Sequence, residues 1–342
     1  MIATALDSAL DWHGRTKRGP ALAATLLAGT LVGLAGVADW ALWSDRADPW
    51  RLVWLASGLV TLPLSTVLVR RLHDGGQSGK WIGLFLLPWA WIPALAVILA
   101  LPTGGRYRSI GHASGLRLLA RLAILACVLL TMARAVVLLV PVSAQGMEPA
   151  LLPGDVALVW RTGTPRPGDL VAFAQAPPRE AGIARMMAGP GQRIGVTAGQ
   201  VSVDSRPLAQ ARVGTLTLPF GTGSRDSRLM RCRNGPVGLG AGCEFDLWQE
   251  TLADGSAHAI LDAGITPTDQ MSDMLVPGGH IFVMGDNRDN SLDSRASATS
   301  AGTGPISENA ILGRATRVVL SFAGAPWQVW TWRPFRTLRG IR

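Results

Sequence analysis

Between Phe282 and Arg295 the chain reads FVMGDNRDNSLDSR, which sets three aspartates, two asparagines, two arginines and two serines within fourteen residues. Asp and Arg at such short spacing can form paired carboxylate–guanidinium contacts, and Asn amides can satisfy the backbone groups of a Gly-Asp-Asn turn. That is chemistry for fixing loops. Covalent catalysis needs more, namely an oxygen or sulfur nucleophile beside a group that can take its proton. Arginine stays protonated and cannot be that base, and all but two of the 32 basic residues are arginine. Both lysines, Lys17 and Lys80, lie in the first quarter of the chain, and the second half offers only His258 and His280 as imidazoles. Cys232 and Cys243 stand eleven residues apart without the CxxC spacing of a metal site, so they read as a disulfide if that segment is exported. No metal or cofactor is expected.

The elements that must carry these residues divide into two halves. With 48% hydrophobic residues over 342 positions, the chain is too apolar and too long for one ordinary soluble domain. The net charge of +9 does not imply nucleic acid, because the basic residues are scattered and no basic helix is interleaved with stacking aromatics. Four apolar stretches, about Ala21–Trp43, Trp50–Val69, Trp81–Leu101 and Leu122–Val140, are each near the ~20 residues of a spanning helix. The basic loops 70–80 and 106–121 flank the third stretch, and the positive-inside rule puts both in the cytoplasm. That stretch then either enters and returns, broken by Pro88 and Pro93, or spans once with a kink. The re-entrant reading gives a membrane domain over 1–121, a last transmembrane helix over 122–141 and an extracytoplasmic domain over 142–342. Arg134 falls within that last apolar run and would snorkel toward the headgroups.

From Pro141 onward, short Val- and Ile-rich runs such as GDVALVWR, GDLVAFAQ, HIFVMGD and ATRVVLSF, bounded by Gly, Pro or Asp, predict antiparallel β structure. An inserted subdomain is expected at about 196–275. The tail PWQVWTWRPFRTLRGIR alternates tryptophans with arginines, as at a membrane interface.

GMEPALLPGDVALV (146–159), RPGDLVAF (166–173), IARMMAGPGQRI (183–194) and MGDNRDNSLDSR (284–295) follow the order and approximate spacing of the boxes of bacterial type I signal peptidases, the leader peptidases of the serine S26 family. The resemblance covers residues 136 to 342. The run RRLHDGGQSGKW with the apolar stretch after it resembles an uncharacterised helical domain of bacterial inner membranes, which implies location and no activity. The resemblance implies the signal peptidase I fold and a protein that acts on or binds the signal peptides of exported preproteins. In that family a serine attacks and a desolvated lysine takes its proton. The two matching positions here hold Gly146 and Ala184. Ser143, three positions upstream, is the substitute hydroxyl, and a serine–histidine variant would need His at 184. By the same resemblance Asp286, Arg288, Asp293, Arg295 and Arg185 are scaffold, and Ser291 once oriented the lysine. Met147, Pro149, Leu151, Leu152 and Met186 line a groove in which an extended peptide adds to a strand edge. The expectation is therefore a multi-pass inner-membrane pseudo-peptidase with a periplasmic β domain, whose partners are signal peptides and membrane lipid. An active leader peptidase using Ser143 is the enzyme alternative. A structural partner of an active signal peptidase or of the secretion machinery is the third.

Overall fold

The computed structural model describes residues 14–43, 51–79, 81–82, 91–104, 122, 125–126, 128–175, 181–220, 230–297 and 302–322. They divide near residue 136 into two compact units.

The first unit holds α1 (Arg18–Trp43), α2 (Arg51–Asp74) and α3 (Trp91–Ala100). Residues Arg18–Leu42 are long and apolar enough to cross a membrane. Helix α2 passes that test only if its halves, Arg51–Thr61 and Pro63–Asp74, count together across a 41° bend, where Pro63 removes a backbone donor. Two buried charges do helix-end work. The Asp39 carboxylate accepts from the N–H groups of Leu52 (2.9 Å) and Val53 (2.8 Å), donors that the first turn of α2 leaves unpaired. Arg71 pairs with Asp74 at 2.9 Å and donates to the carbonyls of Leu101 and Pro102, just past the end of α3. Pro88 and the loop 105–121 lie outside the described residues.

The predicted helix over 122–141 needs correction. Residues 128–133 are helical, 134–136 form a turn, and Val137–Pro141 is a strand. Val-Leu-Leu-Val satisfies an apolar strand as well as an apolar helix, and pairing with the next strand decides between them. Arg134 sits in the turn with its guanidinium 5.3 Å from the ring centre of Trp54, a cation–π contact.

The second unit is antiparallel β. Its strands are β1 (Val137–Pro141), β2 (Asp155–Trp160), β3 (Leu170–Phe173), β4 (Gly182–Ala188), β5 (Arg193–Thr197), β6 (Gln200–Val203), β7 (Arg206–Pro207), β8 (Ala209–Pro219), β9 (Gly242–Thr251), β10 (Ala257–Asp262), β11 (Met271–Leu275), β12 (His280–Met284), β13 (Ile306–Ser307) and β14 (Ile311–Ser321). A seven-stranded sheet runs β1-β2-β14-β3-β4-β12-β13. Along β2, Ala157 and Val159 are fully buried while Val156, Leu158 and Trp160 face outward, the period-2 pattern of a half-buried strand. Between β4 and β12 the chain makes two smaller sheets, β11-β5-β6-β7 and β10-β9-β8. A disulfide joins Cys232 to Cys243 on β9, with Cα atoms 5.1 Å apart, beside the buried Phe245 and Leu261. The tail after residue 322 lies outside the described residues.

Candidate functional site

The turn after β12 is where the seven-stranded sheet, the β8–β10 sheet and the segment after β1 come together. Strand β12 pairs with β4 through Met284↔Arg185 and Val283↔Met186, which places Asp286 beside Arg185. The two form a bidentate pair, Nε to Oδ1 at 2.7 Å and Nη2 to Oδ2 at 2.6 Å, and Arg185 Nη1 also donates to the Gly168 carbonyl at 2.8 Å. Asp286 and Arg288, although two residues apart, do not pair with each other. Arg288 turns to Glu250 on β9, with Nη2 to Oε2 at 2.5 Å and Nη1 to Oε1 at 3.2 Å. Only Asp293 and Arg295 pair within the segment, again bidentately, with both contacts at 2.9 Å. All of these groups have side chains at most 6% exposed, so each charge is held by a partner rather than by water.

Glu250 is the hub that sequence reading missed. It accepts from Arg288, takes a 2.9 Å bond from Gln210 Nε2, and lies 3.2 Å from His258 Nε2. Burial pushes its carboxyl up, but Arg288 and His258 outweigh burial and hold it below the usual carboxylate range. The glutamate was visible in ETLADGSAHAILD, yet nothing in that run names an arginine 38 positions away. Asp289 is a second omission. Its carboxyl accepts from Ala263 N (2.6 Å) and Thr266 Oγ1 (3.0 Å), and burial raises it to about 6 against the pull of the Ala263 bond.

Residue 146 is fastened to this turn by the Asn287 N–H, which donates to the Gly146 carbonyl at 3.0 Å. A Cβ built on Gly146 would lie 3.3 Å from Ser291 Oγ, so Ser291 stands at the edge of the space that a side chain at 146 would enter. Gly285 cannot be anything larger. Its Cβ would fall 2.2 Å from Ser291 Oγ and 2.5 Å from the Gly146 carbonyl oxygen. Ala184 lies on β4 opposite Val171 of β3, inside the apolar cluster that also holds Met147, Leu151 and Met186. Neither Gly146 nor Ala184 supplies a heteroatom.

Ser143 is exposed, and its neighbours fix its register: Val142 N donates to Asp155 O at 2.7 Å and Gly154 N to Val142 O at 2.8 Å. The hydroxyl therefore stays three residues from 146. His258 is buried with its Nε2 3.2 Å from Glu250 Oε2, and His280 Nδ1 lies 3.1 Å from the Gly278 carbonyl. Of the predicted groove residues, Met147, Leu151 and Met186 are interior packing, whereas Pro149 and Leu152 reach the surface. Alternation along a strand cannot say which of its faces meets a ligand and which meets the core. Strand β12 leaves β4 at Arg185, so among the described residues Gly182–Ala184 is paired on one side only, with β3.

Glu148, also unforeseen, is 5% exposed, and among the described residues its carboxyl meets one donor, Asn287 Nδ2 at 3.4 Å. Burial lifts it to about 7, and the Asn287 contact lowers it only in part.

Residues 116–320 match the family described as "Signal peptidase, peptidase S26", and residues 9–112 match "Protein of unknown function (DUF805)". Among solved structures, a signal peptidase I from Enterococcus faecalis V583 is similar at 17% identity, over 44% of this chain and 97% of that one, with a TM-score of 0.25.

Proposed function

The chain belongs to the signal peptidase family, peptidase S26, and from that premise we propose that it is a catalytically silent member that holds leader peptides without cutting them. The observation that carries this reading is the pair Gly146 and Ala184, set in a scaffold whose ion pairs are otherwise complete. Amide hydrolysis by this route needs an oxygen nucleophile and a proton acceptor, and neither position has a side-chain heteroatom. Peptide capture needs only a strand edge and apolar surface, for which the one-sided stretch Gly182–Ala184 and the exposed parts of Pro149 and Leu152 are suited. The β domain is proposed to face the periplasm from a multi-pass inner-membrane anchor.

Full-length protein incubated with a fluorogenic leader peptide carrying Ala-x-Ala, the small-residue pattern that the family resemblance implies before the cleavage point, is expected to show no turnover. Turnover that Ser143→Ala abolishes would establish the enzyme alternative instead. The double variant Gly146→Ser, Ala184→Lys is expected to acquire cleavage, because the new Oγ would enter the space beside Ser291. A photoreactive leader peptide should label residues 144–152 or 183–187. Labelling elsewhere, or none, favours a purely structural partner.

A further inference from the structure

The 145–149 turn contains a carboxyl group that peptide capture does not require. The turn is tied by Glu148 N to Gln145 O at 3.1 Å and Leu151 N to Met147 O at 2.8 Å, which leaves the Glu148 side chain buried beneath it against Asn287. Among the described residues, Asn287 Nδ2 at 3.4 Å is the donor that meets its carboxylate. The cations on the packed elements are spent, Arg185 on Asp286, Arg288 on Glu250 and Arg295 on Asp293. Of the acids on neighbouring segments, Asp289 is held by Ala263 N and Thr266 Oγ1, and Asp155 by Leu152 N and Ser321 Oγ. Among the described residues no cation pairs with Glu148. Its burial accordingly raises the carboxyl to about 7, a value reached through geometry and not through any neighbouring acid.

A peptide laid along residues 144–152 removes water from above this turn. That penalises the charged form further and leaves the neutral form almost untouched. Ligand and proton are then linked, and the linkage is reciprocal: whatever raises proton affinity on peptide binding must raise peptide affinity on protonation. We propose that Glu148 makes occupancy of the groove proton-dependent, so that a leader peptide is held with Glu148 neutral and released as Glu148 ionises. The proposal rests on the peptide-binding reading and assigns that site its regulation.

The test titrates a fluorescent Ala-x-Ala leader peptide against full-length protein at pH 6 and pH 8, for the wild type and Glu148→Gln. One linked proton can change affinity by at most about tenfold per pH unit. The wild type is expected to weaken by about tenfold across this range, while the glutamine variant, neutral at both pH values, holds its affinity. Wild-type binding that ignores pH, or a glutamine variant with the same dependence, overturns the proposal. A melting series without peptide separates its failure from that of peptide binding. If no peptide binds at either pH, the peptide-binding reading fails and takes the coupling with it. Wild-type stability that still falls relative to Glu148→Gln between pH 4.5 and about 7 then preserves the proton site alone. Parallel melting profiles remove the proton site even where peptide binds.

Discussion

Asp286 reaches across the fold to an arginine 101 positions upstream, and the pair is closed to water. Truncation to Asp286→Ala strands the Arg185 guanidinium in the interior. The expected loss is about 3–5 kcal/mol, read from the midpoint of chemical denaturation. Replacing both partners with apolar side chains of similar volume should cost far less, because no charge is then left alone. Glu250 makes a prediction of opposite pH sign to that of Glu148. Its folded carboxyl lies below its ordinary 4.5, so the stability it contributes is fully present above that value and is lost as pH falls beneath it. Glu250→Gln should be less stable than wild type at pH 7 and should show a shallower decline in acid, checked by melting temperature between pH 3 and 7. These two residues also mark how far sequence reading carries at this scale. The Asp293–Arg295 pair is local, but spacing alone does not single it out, because Asp286 and Arg288 stand equally far apart and do not pair. The partners of Asp286 and Arg288 are set by strand register, which brings in β4 and β9, and residues two apart turned out to serve different sheets.

Among the elements, strands with clean alternation were the most legible: DVALVW reads as half-buried β and becomes β2. Uniformly apolar Val137–Pro141 was not, because a strand that pairs with a neighbour and a helix that enters lipid make the same demand on composition. Glu148 was hidden for a related reason, since a lone acid inside GMEPALL acquires meaning only once the turn closes over it. The cysteine pair needed little more than its compartment to be read, and it closes the loop that leads into β9. Converting both cysteines to serine should lower stability by about 2–3 kcal/mol, the loop-entropy value for a closure of this length. The same loss should follow reduction of the wild type. A differential scanning measurement with and without reductant checks both.

At the scale of the whole chain, two matched regions lie end to end, one over 9–112 and the other over 116–320. The proposed topology puts the basic 106–121 loop on the cytoplasmic side. A cysteine introduced there, in a Cys127→Ser background, should stay unlabelled by an impermeant thiol reagent in intact cells and react after lysis. Labelling in intact cells would reverse the orientation and take the β domain out of the periplasm.

The ion pairs around residues 284–295 have a consequence for how such chains are counted. Each is retained by its own burial, whether or not any bond is ever cut nearby. A genome census keyed to that signature therefore counts scaffolds, whatever residues stand at the positions of Gly146 and Ala184.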